Sequence, residues 1–219
     1  RHDSGPYILT IQTVVEKYKK LKKPIYGAFI DFRKAFDLVW RDGLMLKLAE
    51  MGLKKPLLKI IMEYYKGRTA RLKMDGALTE AFQTILGVIQ GEPPSPDLFK
   101  AYIHKLSELL DEVEDLPELN KIILSHLLWA DDLYVNALTP EGLQELLDIL
   151  SKFCREWGLI PNASKCNILI FNGNEDDKAL DFKIGEDTIS HTDSYTYLGL
   201  ELTRDGKLNT AARTLAAKG

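Results

Sequence analysis

Cysteine is nearly absent from this chain: 219 residues include two, Cys154 and Cys166. They lack the paired CxxC spacing of a zinc site, and two thiols cannot supply the several cross-links of a small secreted scaffold. A reducing, intracellular setting (cytoplasmic, nuclear or both) is the expectation, with both thiols buried and idle. Long apolar runs are also missing. The longest, Ile122 to Ala130, is broken by Ser125 and His126 and falls short of the roughly 20 residues that cross a bilayer. No membrane segment and no signal peptide is expected. No internal repeat or low-complexity linker is present, which argues against solenoid and disordered classes. A strong net charge is lacking too: the balance is −3 and the pI about 5.9, which is low for a protein that must grip nucleic acid alone.

What is present is an ordinary globular composition, 45% hydrophobic and 28% charged, in a chain long enough for one domain with a real core. The small net charge conceals a division. Residues 1–75 hold 17 Lys and Arg against 8 Asp and Glu, whereas residues 76–219 hold 12 against 24. A basic front can attract phosphate backbones. A solvated helix face accounts equally well for runs such as Lys19-Lys20 and Lys22-Lys23.

Periodicity then orders the chain. Ile8, Ile11, Val15, Tyr18 and Leu21 recur at helical spacing up to Pro24, and Ile25 to Asp31 reads as a buried strand ending in a carboxylate. Asp42 is expected to cap a helix over Leu44–Met51, closed by Gly52, and residues 57–66 read as a further helix. Arg71 to Gly76 alternates and turns, with Glu80 to Leu86 as its return strand. The Gly/Pro-rich stretch Gly87 to Pro96 opens onto a helix reaching about Leu110, and residues 111–120 read as loop. Ile122–Trp129 and Leu133–Ala137 are two strands flanking an acidic tip. Thr139 and Pro140 open a helix carrying Leu143, Leu146, Leu147, Leu150 and Phe153. Short strands follow at 167–171, 181–189 and 197–202. This mixture predicts an α+β fold, an antiparallel sheet with helices packed on one face.

Three carboxylates stand at strand ends in this reading: Asp31, Asp131 and Asp132. Such a cluster is costly unless a cation neutralises it, because neighbouring like charges raise one another's pKa. Mg²⁺ suits a site of few carboxylates plus water and substrate phosphates. Two such ions about 4 Å apart can serve both oxygens of an in-line phosphoryl displacement. An isolated Asp-Asp pair is usually a turn or a cap. Here the pair sits inside apolar strands, where turn chemistry would favour Gly or Asn.

A resemblance sharpens the expectation. Ala28-Phe29-Ile30-Asp31-Phe32-Arg33-Lys34-Ala35-Phe36-Asp37 resembles the first metal-binding motif of non-LTR retrotransposon reverse transcriptases. Gly87 to Phe99 resembles their GxxQGxPxSPxLF segment, and Trp129-Ala130-Asp131-Asp132 their aromatic-Ala-Asp-Asp hairpin. The helix over 139–157, then Gly158-Leu159 and Asn162-Ala163-Ser164-Lys165-Cys166, is similar to their next segment. Tyr197-Leu198-Gly199 is similar to the motif closing the palm.

The resemblance implies an RNA-directed DNA polymerase palm, extending a DNA primer on an RNA template with dNTP and two Mg²⁺ or Mn²⁺ ions. Asp31 and Asp131 would be the main metal ligands, Asp132 a lesser one, and the Phe32 carbonyl an added oxygen. Phe36 would gate the sugar, with plain core packing as the alternative. Gln90 and Gly91 would line the nucleotide, and Lys165 would protonate the leaving pyrophosphate unless it is simply a surface lysine. Tyr197, Leu198 and Gly199 would lie near the primer end or form an ordinary hairpin strand. By the same resemblance, residues 25–42 and 87–203 form the palm, residues 1–24 and about 43–86 partial fingers, and 204–219 a tail. The remaining fingers and the thumb would belong to a longer chain from which this piece is cut, or else the palm survives as a remnant. Glu92 and Asp97 depart from the family pattern and are expected to place negative charge near the triphosphate. A decayed palm serving as a protein- or nucleic-acid-binding scaffold is the competing expectation.

Overall fold

The computed structural model describes residues 5–74 and 76–206; Asp75, at the expected 71–76 turn, lies outside them, as does most of the tail. The first helix, α1 (Gly5–Lys20), buries Ile8, Ile11, Val14, Val15 and Tyr18 along one stripe. Strand β1 (Ile25–Ile30) is buried at every position. Such a strand needs cover on both faces, and its residues divide accordingly. Tyr26, Ala28 and Ile30 enter one core, Ile25 and Phe29 the other.

After β1 come α2 (Arg41–Glu50) and α3 (Lys55–Tyr65). Asp42 does not cap α2. The cap position is Trp40, without a side-chain hydrogen bond, and Asp42 sits one residue into the helix, where its charge still favours the N-terminal dipole. The expected hairpin is present but divided. Its strands are β2 (Thr69–Ala70), β3 (Lys73–Met74), β4 (Ala77–Leu78) and β5 (Phe82–Gln83); β3 pairs with β4 and β2 with β5. Helix α4 (Ser95–Leu110) follows the Gly/Pro-rich loop.

Ile122–Trp129 is not one strand. β6 (Glu118–Leu119) and β7 (Ile122–Ile123) make a separate hairpin, because Asn120 and Lys121 both adopt positive φ, and β8 (His126–Trp129) begins only after Ser125. Strand β9 (Asp132–Ala137) returns along β8. In α5 (Pro140–Trp157) the Thr139 hydroxyl accepts from the Gly142 amide at 3.1 Å, and Gly158 closes the helix in the left-handed region, as the sequence pattern implies. The remaining strands are β10 (Asn167–Phe171), β11 (Phe182–Ile184), β12 (Asp187–His191), β13 (Ser194–Tyr197) and β14 (Leu200–Thr203).

Six strands form the main sheet in the order β11-β12-β10-β1-β9-β8, all antiparallel except the β10–β12 pair. The α+β class with an antiparallel-rich sheet is thus the observed architecture. Side chains from α2, α4 and α5 fill the core on one face. The other face also carries a helix: α1 and the β13–β14 hairpin pack there through Ile11, Val15, Tyr197 and Leu202. Gly27 in β1 permits this second layer, since a Cβ would stand 2.8 Å from the ring of buried Tyr134. Among the described residues, no helix is long and apolar enough to cross a membrane.

Candidate active site

The neighbouring interior strands β1 and β9 place their carboxylates at one end of the sheet. Register pairs Ile30 with Leu133, so Asp31, just past the end of β1, and Asp132, the first residue of β9, stand at the same end of the sheet. Trp129 pairs with Asp132 and encloses Ala130 and Asp131 as a two-residue turn, with Ala130 at φ +54°. An alanine rarely takes that conformation, so the turn is held by the strands on either side of it.

Asp31 is fixed from below. Its carbonyl accepts from the Asn162 amide at 2.8 Å, and one carboxylate oxygen accepts from the Asn162 side chain at 3.2 Å. The Lys165 ammonium stands 3.9 Å from that same oxygen. Phe32 bridges to Pro161, which ties the end of β1 to the segment after α5. Asn162 was part of the recognised motif but had no role assigned by sequence. Its function of orienting Asp31 depends on a contact 131 residues away along the chain.

A cleft of about 610 Å³ opens here, lined by Asp31, Asp131, Phe32, Phe36, Gln90, Asn162 and Lys165 among others. Asp132 keeps much of its surface open, yet loss of solvent on its inner side raises its pKa, and the charges of Asp131 and Asp31 raise it further. The charges of Asp131 and Asp31 are thus both felt at Asp132. Tyr195 belongs to the same neighbourhood and was missed by sequence. It stacks on Phe29 at 4.2 Å, and burial followed by the charges of Asp132 and Asp31 pushes its hydroxyl pKa up.

Phe36 does two things at once: it lines the cleft and stacks on buried Phe99 at 5.1 Å. Gln90 reaches the cleft; Gly91, at φ +88°, is in the adjoining turn and does not line it. Tyr197 is buried in the second core beside Phe29, while Leu198 and Gly199, both at positive φ, form the turn of the β13–β14 hairpin, with Leu198 half-buried against that core and Gly199 exposed. The charge expected from Glu92 and Asp97 is directed elsewhere. Glu92 accepts from the Tyr64 hydroxyl and pairs with Arg68 at 3.4 Å, Asp97 pairs with Lys100 at 3.7 Å, and neither lines the cleft. Cys154 and Cys166 are buried free thiols whose pKa values burial pushes up to about 12 and about 11.

Oxygen donors of this kind suit a hard divalent cation, and the mutual repulsion recorded at Asp132 is what a cation relieves. Among the described residues, no group of three or more His, Cys, Asp or Glu already stands in a metal-holding arrangement. The Asp31 oxygen that would serve is engaged by Asn162 and Lys165. The donor chemistry fits; a cation would have to draw the carboxylates together.

An antiparallel-rich sheet layered on both faces, with acidic residues at the ends of two neighbouring interior strands, is the architecture of a nucleotide-polymerising palm. Residues 2–202 match the family described as reverse transcriptase (RNA-dependent DNA polymerase), and the chain belongs to that family. Its relatives include the retrovirus-related Pol polyprotein of the type-2 retrotransposable element R2DM from Drosophila melanogaster, 31% identical over 206 residues. That match covers 90% of this chain and 19% of the relative. The RNA-directed DNA polymerase of the mobile element jockey from Drosophila funebris is 30% identical over 191 residues, covering 84% and 20%. The chain thus spans about a fifth of the length of these curated relatives. In three dimensions it is similar to apo telomerase from Candida tropicalis truncated from the C-terminal domain, with a TM-score of 0.65 and 17% identity over 93% of this chain and 39% of that one. The fold is shared at that level. The family generally uses divalent metal ions.

Proposed function

We propose that this chain is the palm, with part of the fingers, of an RNA-directed DNA polymerase that joins dNTP to a primer 3′-hydroxyl on an RNA template. The observation that carries this reading is the convergence of Asp31 and Asp131, from neighbouring strands, on one cleft with Phe36 and Lys165. Residues 25–42 and 87–203 form the palm in this proposal, and 1–24 and 43–86 the finger elements. Further parts of a longer protein complete the grip on template and primer.

Asp31 and Asp131 would hold Mg²⁺ or Mn²⁺, with Asp132 and the Phe32 carbonyl as additional oxygens. When bound, the two ions supply charge neutralisation at the attacking and leaving oxygens. The protein's own groups do the positioning. Asn162 keeps the Asp31 carboxylate turned to the cleft, and the Phe99 ring backs Phe36 so that it can lie rigidly beneath a sugar. Gln90 faces the nucleotide, with Gly91 allowing the loop to turn beside it. The 3′-hydroxyl displaces pyrophosphate, which Lys165 is placed to protonate. Burial of Tyr197 makes the Leu198–Gly199 turn, rather than the tyrosine ring, the part of that motif able to reach a primer.

Primer extension on an RNA template, with this chain set in its longer protein, tests the reading. Extension that requires Mg²⁺ and collapses in Asp131→Asn is expected. Extension unchanged by Asp131→Asn, or none with the fingers and thumb present, overturns it in favour of a scaffold.

A further inference from the structure

Strand β8, which leads into the acidic turn, is the edge of the main sheet, and among the described residues β9 alone pairs with it. An edge strand that must present a carboxylate accurately needs a second restraint. Where β8 begins, four polar side chains from two elements meet. The Ser125 hydroxyl donates to the Asp111 carboxylate, and its oxygen lies 2.7 Å from His126 Nδ1. On the other side of the ring, His126 Nε2 is 2.9 Å from the Ser107 hydroxyl. Ser107 lies near the end of α4 and Asp111 just beyond it.

Donor accounting settles the directions. An ionised carboxylate only accepts, so the Ser125 proton is committed to Asp111. Ser125 can then only accept from the ring, which puts the imidazole proton on Nδ1 and leaves Nε2 to accept from Ser107. In the neutral ring the chain runs Ser107→His126→Ser125→Asp111; a protonated ring would donate from both nitrogens and reverse the Ser107 bond. Asn136, buried in β9, holds the same root through bonds from its side chain to the Leu124 carbonyl (2.9 Å) and the Ser125 carbonyl (3.3 Å).

We propose that His126 is a positioning residue for the acidic turn: hydrogen-bonded between Ser107 and Ser125, it ties edge strand β8 to α4 and thereby sets where Asp131 stands on the cleft. The proposal rests on the functional reading above only in what Asp131 does there. Asp111, 3.7 Å from Nδ1, is the charge acting on the ring, and it favours protonation; Ser107 and Ser125 are neutral, and the cross-strand neighbour Val135 is apolar. Burial acts more strongly the other way and holds the pKa of His126 below its usual value. The folded state therefore resists a proton that the unfolded chain accepts. The clamp is intact above pH about 6.5 and is loaded as pH falls below it.

Amide hydrogen exchange across β8, β9 and β10, together with Mn²⁺ titration, tests this. His126→Ala is expected to speed exchange at Leu127 and Leu133 roughly tenfold, the scale of one lost buried hydrogen bond, and to weaken Mn²⁺ binding by a similar factor. Exchange at Ile168–Ile170 should not change. Ser107→Ala removes one link and should give a smaller change of the same pattern, which keeps the test open if the His126 variant fails to fold. His126→Asn retains a donor toward Ser125 and should restore most protection. It should also abolish the extra exchange that the wild type shows below pH about 6.5. The inference is overturned if exchange at the hairpin stays within about twofold in both His126→Ala and Ser107→Ala, or if His126→Asn keeps the wild-type pH response. Equal Mn²⁺ binding by wild type and Asp131→Asn would instead sink the functional reading, and the exchange data would still decide the clamp.

Discussion

Helix α5 buries seven of its eighteen residues against the sheet and α4, whereas α3, which is also rich in Leu, Ile and Met, buries Tyr65 alone. Leu57, Ile60 and Met62 of α3 are each at least half exposed, and so are Met74 and Leu78 of the following hairpin and Ile85 beyond β5. Two regions of one chain thus use similar apolar side chains to different ends. In the sheet region those side chains determine where Asp31 and Asp131 stand. Between residues 55 and 86 most of them form surface, with Leu58, Ile61 and Tyr65 turned to the core. A site that must hold carboxylates to fractions of an ångström belongs on the densely packed region, since rigidity there comes from close packing on both faces.

The widest gap should appear in stability. Leu146→Ala or Leu150→Ala in α5 is expected to cost about 2–5 kcal/mol by urea denaturation, through lost transfer energy plus a cavity. Ile60→Ala in α3 should stay within about 0.5 kcal/mol. Comparable losses at the two sites would erase the contrast.

Arg41 joins the regions. Its guanidinium donates to the carbonyls of Gly87 and Thr84 and lies 5.0 Å from the Tyr65 ring centre. Arg41→Ala should cost roughly 1.5–3 kcal/mol, the range for charged hydrogen bonds, and open residues 66–94 to proteolysis while leaving α5 protected. Protection of that segment in the variant would show that it is held by its own contacts.

A third test concerns the charge at the sheet's end. Because the Asp132 pKa is raised on folding, by burial first and then by Asp131 and Asp31, the folded state binds more protons just above the usual carboxylate range. Stability should therefore fall as pH climbs from about 3.8 through the raised value and then level off. Asp132→Asn should flatten that part of the melting-temperature profile and melt higher at neutral pH. An identical profile in the variant would remove the electrostatic coupling from the description of the site.

The smallest effect is expected at the turn itself. Ala130→Gly relieves a positive φ that costs an L-residue roughly 1 kcal/mol or a little more, partly offset by glycine's greater freedom in the unfolded chain. A gain below about 1 kcal/mol is predicted, and a loss would mean the methyl group packs against something that matters more.

Much of the packed region was legible beforehand because its signals are local. Thr139, Pro140 and Gly158 bracket α5, and its leucines repeat every three or four residues. The fully apolar β1 announced a strand, and the strand-end acids announced a site. The break at Leu124–Ser125 was hidden, since turns with positive φ at Asn120 and Lys121 look like any polar loop followed by a strand. The true neighbours of Glu92 were equally hidden. Its carboxylate near the cleft motif read as a charge facing substrate, until Tyr64 and Arg68 from the α3 region were seen to engage it.

By itself, then, the sequence determined which segments become helices and strands, which residues are apolar enough to line a core, and which motifs place Asp31, Asp131 and Asp132 at strand ends. These are matters of period, capping and residue chemistry over a few turns of chain. Tertiary structure alone decided that α1 covers the second face of the sheet, that Asn162 holds Asp31, and that His126 links the acidic hairpin to α4. The last two join residues 131 and 19 positions apart, and the first joins the beginning of the chain to residues as far along it as Leu202. Nothing local encodes such a meeting, because its stability arises only after burial has brought the partners together and removed the water that would otherwise satisfy them.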